Sequence, residues 1–431
     1  MKKIIRTFLL VVGLTPLVML LVSALAYWFY GLLALGGEST PHQHYLKRNQ
    51  QLVSGGASDF TLFDETFYQN QVFMLAEVHG FEQPQTLDLS LLKHLHQRVG
   101  VRYYLAEVDY CQAYFLNQYL QTGREALLRS VFQIWIKENA QWGNRQFYDK
   151  IKKIRVYNLT LPEKSRIRFL GVDRLQDLAL TKRFLELSLR DSVYRSAKEP
   201  FVDSLRRVVS APALNEQKLV DAAKHFLAAK AEGTEDAALS HVLRNLVYYG
   251  QKTNRDSVMY LNLKDLTRTL RLDQEKLYGL WGFFHTLPGT VNGGKKKPFA
   301  AYLKQADSPF RGKVVAMNIY ALDSENMMPS KALPASINPG KAYVNTTWAN
   351  GDGPLAFTFG VNDLRAVTEE NTITLFKLSG EESPYWHSSQ LTRTKVIIPG
   401  QSIEADGKDP RIPDAFPYVF LMRNSKALQP L

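Results

Sequence analysis

Four short apolar runs, each ending on a chemically active residue, constrain this chain more than any other feature. Val72-Phe-Met-Leu-Ala76 runs into Glu77-Val78-His79-Gly80, and Tyr103-Tyr-Leu-Ala106 runs into Glu107-Val108-Asp109. Arg168-Phe-Leu-Gly-Val172 leads to Asp173-Arg174, and Tyr278-Gly-Leu-Trp-Gly-Phe-Phe284 leads to His285. Runs of this length and composition read as buried strands. Between the first two, Leu87, Leu91 and Leu95 recur at helical spacing with Leu92 beside them. A strand, helix, strand order predicts a parallel pair joined by a crossover. Open α/β sheets bind their ligands just beyond the carboxyl ends of the strands. Glu, His, Asp and His at four such ends therefore predict one shared pocket. The expected fold class is α/β: a central, mainly parallel sheet with helices on both faces.

Residues 110–157 read as mostly helical. From 176 to 272 strand signals nearly vanish, while Leu219, Ala223 and Phe226 repeat at helical spacing. Met259, Leu263, Leu266 and Leu270 repeat similarly, with Asp256 at the helix start, where negative charge is favoured. This stretch is expected to be a helical insertion able to cap the site. Later strand candidates are Val314–Ile319, Thr394–Ile398 and Tyr418–Met422. Pro288, Gly289, Gly293 and Gly294 mark a loop. No linker splits residues 71–431, which read as one elaborated domain.

The amino terminus adds a second constraint. Met1-Lys-Lys-Ile-Ile-Arg6 is basic, and Phe8 to Leu35 carries no charged side chain. That exceeds the ~7–15 apolar residues of a signal-peptide core and the ~20 needed to cross a bilayer. Tyr27, Trp28 and Tyr30 lie toward its far end, where an interfacial aromatic belt sits. Residues 1–36 are expected to form a transmembrane anchor with Lys2, Lys3 and Arg6 cytoplasmic and the domain extracytoplasmic. Ala24-Leu-Ala26 keeps a cleaved signal segment as the alternative. Residues 37–70, polar and containing Gly55-Gly56, read as a linker.

Composition narrows the remaining classes. With 45% hydrophobic and 22% charged residues among 431, the chain can bury a large core and is not disordered. Cys111 is the only cysteine, which excludes an internal disulfide and a Cys-rich metal site. A net charge of +12 suits an anionic membrane surface. No nucleic-acid module or basic stripe with interleaved aromatics is present, so nucleic acid is not an expected partner.

Glu77 and His79 stand two apart on a turn, not in a His-Glu-x-x-His helix, yet both side chains can enter one cavity. Glu107 follows on what reads as the neighbouring strand, about 5 Å away. An imidazole beside two carboxylates suits general-base work. With His285 added, Glu77, His79 and His285 also have the donor types of a divalent-metal site. Asp173 with Arg174, and Arg255 with Asp256, read either as structural salt bridges or as groups that orient catalytic residues, and Asp173, Arg174 and Arg255 are candidates for binding substrate. No Gly-x-Ser-x-Gly elbow, Walker A motif or Rossmann glycine fingerprint occurs.

These residues resemble a known superfamily that joins erythromycin esterases, ChaN-type haem-binding proteins and the TraB/TIKI proteins. Ala76-Glu77-Val78-His79-Gly80 resembles the ChaN-type opening, and Tyr104-Leu-Ala-Glu107 resembles the second family strand. Ile154-Arg-Val-Tyr-Asn158, Phe169-Leu-Gly-Val-Asp173 and Asn254-Arg255-Asp256 with Met259 are similar to erythromycin-esterase segments. Gly282-Phe-Phe-His285-Thr-Leu-Pro-Gly289 resembles a TraB/TIKI motif, and Asp414 to Leu431 the end of the esterase domain. The chain departs in having Ala76 where the family has glycine, a Glu-x-His spacing one residue shorter than the esterases, and no arginine between Glu82 and Leu92. The resemblance implies a hydrolase of an ester or amide bond, acting on a small-molecule or peptide substrate. His79 would activate water, Glu77 and Glu107 would orient it, and His285 would be a second catalytic or ligand histidine. A divalent metal or haem is the implied cofactor, and a haem- or metal-binding protein without turnover is the alternative.

Overall fold

The computed structural model describes residues 2–36, 40–53, 59–190, 192–195, 197–229, 236–333, 340–396, 406 and 411–431. Gly37, Gly55, Gly56 and Ile398 lie outside these residues. The chain begins with α1 (Lys2–Ala34), α2 (Thr40–Arg48), β1 (Gln50–Val53) and α3 (Glu65–Tyr68). Next come β2 (Val72–Glu77), α4 (Gln83–Val99) and β3 (Tyr103–Asp109). Helices α5 (Tyr110–Thr122), α6 (Glu125–Lys137) and α7 (Arg145–Leu159) lead to β4 (Arg168–Asp173). The insertion follows as α8 (Leu178–Leu189), α9 (Ser192–Arg195), α10 (Pro200–Val209), α11 (Glu216–Ala229), α12 (Ala237–Gly250) and α13 (Arg255–Leu270). The chain returns through β5 (Leu277–Gly282), a single 3-10 turn over Phe283–Thr286, α14 (Phe299–Leu303) and β6 (Val314–Leu322). It ends with β7 (Asn326–Pro329), β8 (Tyr343–Thr346), β9 (Ala356–Thr358), α15 (Val361–Arg365), β10 (Ile373–Lys377), β11 (Thr394–Val396), α16 (Ile412–Ala415) and β12 (Tyr418–Arg423).

Eight strands form one sheet in the order β1-β10-β12-β6-β2-β5-β3-β4. From β12 to β4 all neighbours run parallel, and β1 and β10 add antiparallel pairing at one edge. Parallel strands are covered on both faces, which is why they read as unbroken apolar runs. Along β2, Phe73 and Leu75 enter one hydrophobic layer while Val72, Met74 and Ala76 enter the other. Leu87, Leu91, Leu92 and Leu95 of α4 fill the first layer, and Met259, Leu263 and Leu266 of α13 fill the second. Each fully buried side chain of this kind stabilises by about 1.5–3 kcal/mol, so the strand ends are carried on a rigid platform.

One expectation about this platform is corrected. β2 and β3 are not neighbours: β5 lies between them, paired with both. The α4 crossover therefore skips one strand position. The insertion returns the chain through that gap, and so the strand preceding His285 occupies the middle of the site.

Residues 40–53 are folded onto the sheet. Tyr45 and Leu46 are buried, the Tyr45 hydroxyl donates to Lys377 O at 2.9 Å, and β1 pairs with β10. The expected transmembrane helix also requires correction. Among the described residues no helix is long and apolar enough to cross a membrane. Part of the uncharged segment is used on the domain instead: Leu35 is buried, Gly31 packs on Phe357, and the Tyr27 hydroxyl donates to Val396 O at 3.4 Å.

Candidate active site

His79 sits on the turn after β2, and its Nδ1 lies 3.0 Å from Glu77 Oε1. Glu77 is buried, whereas the His79 ring is 26% exposed. With Nδ1–H donated to the carboxylate, Nε2 is left as the basic nitrogen. The turn is held from several sides. Gln141 Nε2 donates to His79 O, Gly80 O accepts from Leu428 N and Met327 N, and Trp142 meets the imidazole edge-on at 4.2 Å. Gly80 has φ +110, and a Cβ there would stand 2.5 Å from Met327 O. The sharp turn that presents His79 therefore requires glycine.

Glu107 leaves the sheet at a β-bulge, where one extra residue of β3 separates Ala106 from Asp109 in the pairing with β4. Bulges re-aim side chains beside active sites. Glu107 Oε2 accepts the Gly282 N–H at 2.8 Å, and Oε1 accepts from Arg255 Nη2 at 2.8 Å. A Cβ on Gly282 would lie 2.9 Å from His79 Nε2 and 3.5 Å from Glu107 Oε2. His79 and Glu107 thus meet over a backbone position with no room for a side chain.

His285 stands on the 3-10 turn that follows β5. Its Nδ1 lies 2.6 Å from Asp256 Oδ1, while Nε2 faces Glu107 Oε1 at 3.4 Å and Arg255 Nη1 at 3.3 Å. Arg255 and Asp256 open α13, which Asn254 caps by accepting the Ser257 N–H. The helix amino terminus favours the Asp256 carboxylate, which also accepts the Phe299 N–H at 2.8 Å. Arg255 extends to Asp173, with Nε 2.9 Å from Oδ1 and Nη2 2.6 Å from Oδ2.

The electrostatics follow from this packing. Burial works to lower the His285 pKa, but hydrogen bonds to Asp256 and Glu107 and their charges win, raising it to about 9. The ring is cationic at neutral pH. His79 is also raised: burial opposes charging, and the Glu77 hydrogen bond and the nearby carboxylates outweigh it. Glu107 falls well below the usual carboxylate range because His285, His79 and Arg255 overcome its burial. Burial dominates at Glu77 and pushes its carboxyl up.

The structure therefore brings together Glu77, His79, Glu107, His285, Asp173 and Arg255, but not Arg174. Arg174 is exposed and lines a separate cleft with Glu216, Tyr248 and Lys252. Asp173 is buried and engaged by Arg255, so it positions the guanidinium and is not open to a ligand. The metal set Glu77, His79 and His285 finds no support: among the described residues no three His, Cys, Asp or Glu side chains are grouped to hold an ion. The Arg255 guanidinium already supplies positive charge between Glu107, Asp173 and His285. Both His285 nitrogens are engaged, so His285 does not fit as a haem ligand either. Asp256, read with Arg255 as a salt bridge or an orienting group, is the partner of His285, a pairing not expected from the sequence, and Gln141 and Trp142 are supports it did not indicate.

Comparison with solved structures places the fold. A protein from Bacillus cereus superposes with a TM-score of 0.65 at 14% identity, covering 92% of this chain and 100% of its own. A succinoglycan biosynthesis protein gives 0.66 at 13% identity, with 92% and 100% covered. An erythromycin esterase mutant in its open conformation gives 0.58 at 13% identity, with 87% and 98% covered. The class is thus an α/β protein with an erythromycin esterase-like fold. No family model matches the chain, and no curated protein matches its sequence. Similarity to the ChaN-type and TraB/TIKI proteins stays at the level of short motifs.

Proposed function

We propose that the protein is a hydrolase of ester or amide bonds in which His79 activates water. The observation that carries this is the meeting of the Glu77–His79 pair with Glu107, Arg255 and the His285–Asp256 pair at adjacent strand ends. In this mechanism a water beside Glu107 gives its proton to His79 Nε2, and its oxygen adds to the substrate carbonyl carbon. Arg255, about one-third exposed, and cationic His285 stabilise the oxyanion. Collapse breaks the bond to the leaving group, which takes the proton back from His79. Glu77 holds the tautomer, Asp256 holds His285, and Asp173 holds Arg255. Similarity of fold to an erythromycin esterase supports the hydrolase class.

We further propose that α1 attaches the domain to a membrane, with the domain extracytoplasmic. Its exposed Met19, Leu20, Leu21, Val22, Phe29 and Leu33 support attachment. The test of the chemistry is the pH dependence of p-nitrophenyl ester hydrolysis by the full chain in phosphatidylcholine nanodiscs. The rate should rise along a limb above 6.5, the ordinary His79 value. Glu77→Gln should move that limb to lower pH, because the anion that raises the imidazole is gone. A rate independent of pH through this range contradicts the mechanism.

A further inference from the structure

A cavity of about 580 Å³ opens beside the catalytic cluster, within the ~300–1,000 Å³ range of small-ligand pockets. Val78, Phe283, Ile319, Ala321, Trp348 and Val396 line it together with Glu77. Among the described lining residues, Glu77 is the only carboxylate, and there is no Lys, Arg or His. Glu77 is 2% exposed, and its Oε2 has no hydrogen-bond partner. Burying such an atom without a partner is costly, and a hydrogen-bond donor entering next to Glu77 would relieve that cost. The rest of the lining is mainly apolar, with Asn318, Asn350, Thr358 and Thr394 as its uncharged polar members. A ligand matching both features has a hydrogen-bond donor such as a hydroxyl at one end and a hydrocarbon body at the other.

The location of the cavity narrows the source. Its wall includes Ala356, Thr358, Thr394 and Val396 of the β9–β11 ribbon. The same ribbon seats the foot of α1, through Phe357 against Gly31, Val396 O with the Tyr27 hydroxyl, and Lys395 over the Tyr27 ring. The apolar helix and the apolar cavity therefore share one piece of structure.

We infer that the cavity holds the hydrocarbon tail of a hydroxyl-bearing ester amphiphile, with the hydroxyl donating to Glu77 and the ester beside it, toward His79. This rests on the hydrolase reading above and gives it a substrate class. Such a tail reaches the cavity either from the bilayer or as a free acyl compound.

The test uses the full chain in phosphatidylcholine nanodiscs. Hydrolysis of p-nitrophenyl octanoate should exceed that of the acetate by at least ~10-fold in kcat/KM, since added buried methylenes strengthen transition-state binding. Ala349→Trp and, separately, Ala356→Phe fill the cavity, and each should lower that ratio at least ~10-fold. A ratio unmoved in both variants overturns the inference. In parallel, a diazirine-tailed phospholipid in the disc, or a diazirine-tailed free fatty acid in solution, should label residues 318–321 or 348–350. Labelling in the first arm assigns a bilayer source, labelling in the second a soluble one, and labelling in neither overturns the inference. Labelling that persists in His79→Ala while hydrolysis proves independent of His79 keeps the apolar site and rejects the hydrolase reading.

Discussion

Asp256 Oδ1 stands 2.6 Å from His285 Nδ1, joining the first turn of α13 to the turn after β5. This contact fixes the ring, and together with Glu107 it raises the His285 pKa to about 9. Replacing the anion while keeping the shape isolates its effect. Asp256→Asn should lower the His285 pKa, read from imidazole proton shifts by NMR, and reduce kcat by roughly 10-fold or more. An unmoved His285 pKa would show that Asp256 does not hold the charge.

The same shift predicts a pH dependence of stability. His285 is raised above its ordinary value of 6.5 to about 9. Its contribution is complete below about 6.5, declines as pH rises through that interval, and is lost above about 9. The Tm difference between the parent protein and His285→Gln should therefore be largest near pH 6 and shrink toward pH 10. A difference that grows with pH contradicts the assignment.

Gly282 admits no side chain because His79 Nε2 stands 2.9 Å from where its Cβ would be. Its backbone, with φ −56, is open to alanine. Gly282→Ala should thus displace the imidazole without unfolding the protein. Activity should fall by at least ~10-fold, since misplacement of a catalytic group by about 1 Å can cost ~100-fold. Thermal melting should change little, and full activity in this variant would show that the ring is free to move.

Beneath the site, Lys150 and Asp88 form a buried ion pair, and the hydroxyls of Tyr104 and Tyr278 also donate to Asp88. Lys150→Met leaves the carboxylate without its cation and should destabilise by about 3–5 kcal/mol, measured by denaturant unfolding. Adding Asp88→Asn removes the unpaired charge and should recover a good part of that loss. An additive loss in the double variant would show that the two side chains are not coupled.

The strand ends were legible because parallel strands buried on both faces leave unbroken apolar runs, and the polar residue that stops each run marks its carboxyl end. Glu77, His79, Glu107 and His285 were found in this way. Strand order was not legible. Nothing local to residues 277–282 says that they insert between β2 and β3, since that choice is made by how the helical insertion packs on the sheet. Asp256 was read as a helix-start charge, and it is one; its second partner, His285, is visible only in three dimensions. Residues 40–53 read as linker because their polar composition hides a short edge strand that gains its meaning from β10. Arg255 brings a cation to Glu107, Asp173 and His285, a placement that no local signal in the sequence gives.

The account depends above all on His79 as the base. Its most direct test is kcat for p-nitrophenyl octanoate by the full chain and by His79→Ala in the same nanodiscs, with folding checked by Tm. The account predicts a loss of at least ~100-fold with Tm preserved. Equal turnover by both proteins, or none by either, would contradict it.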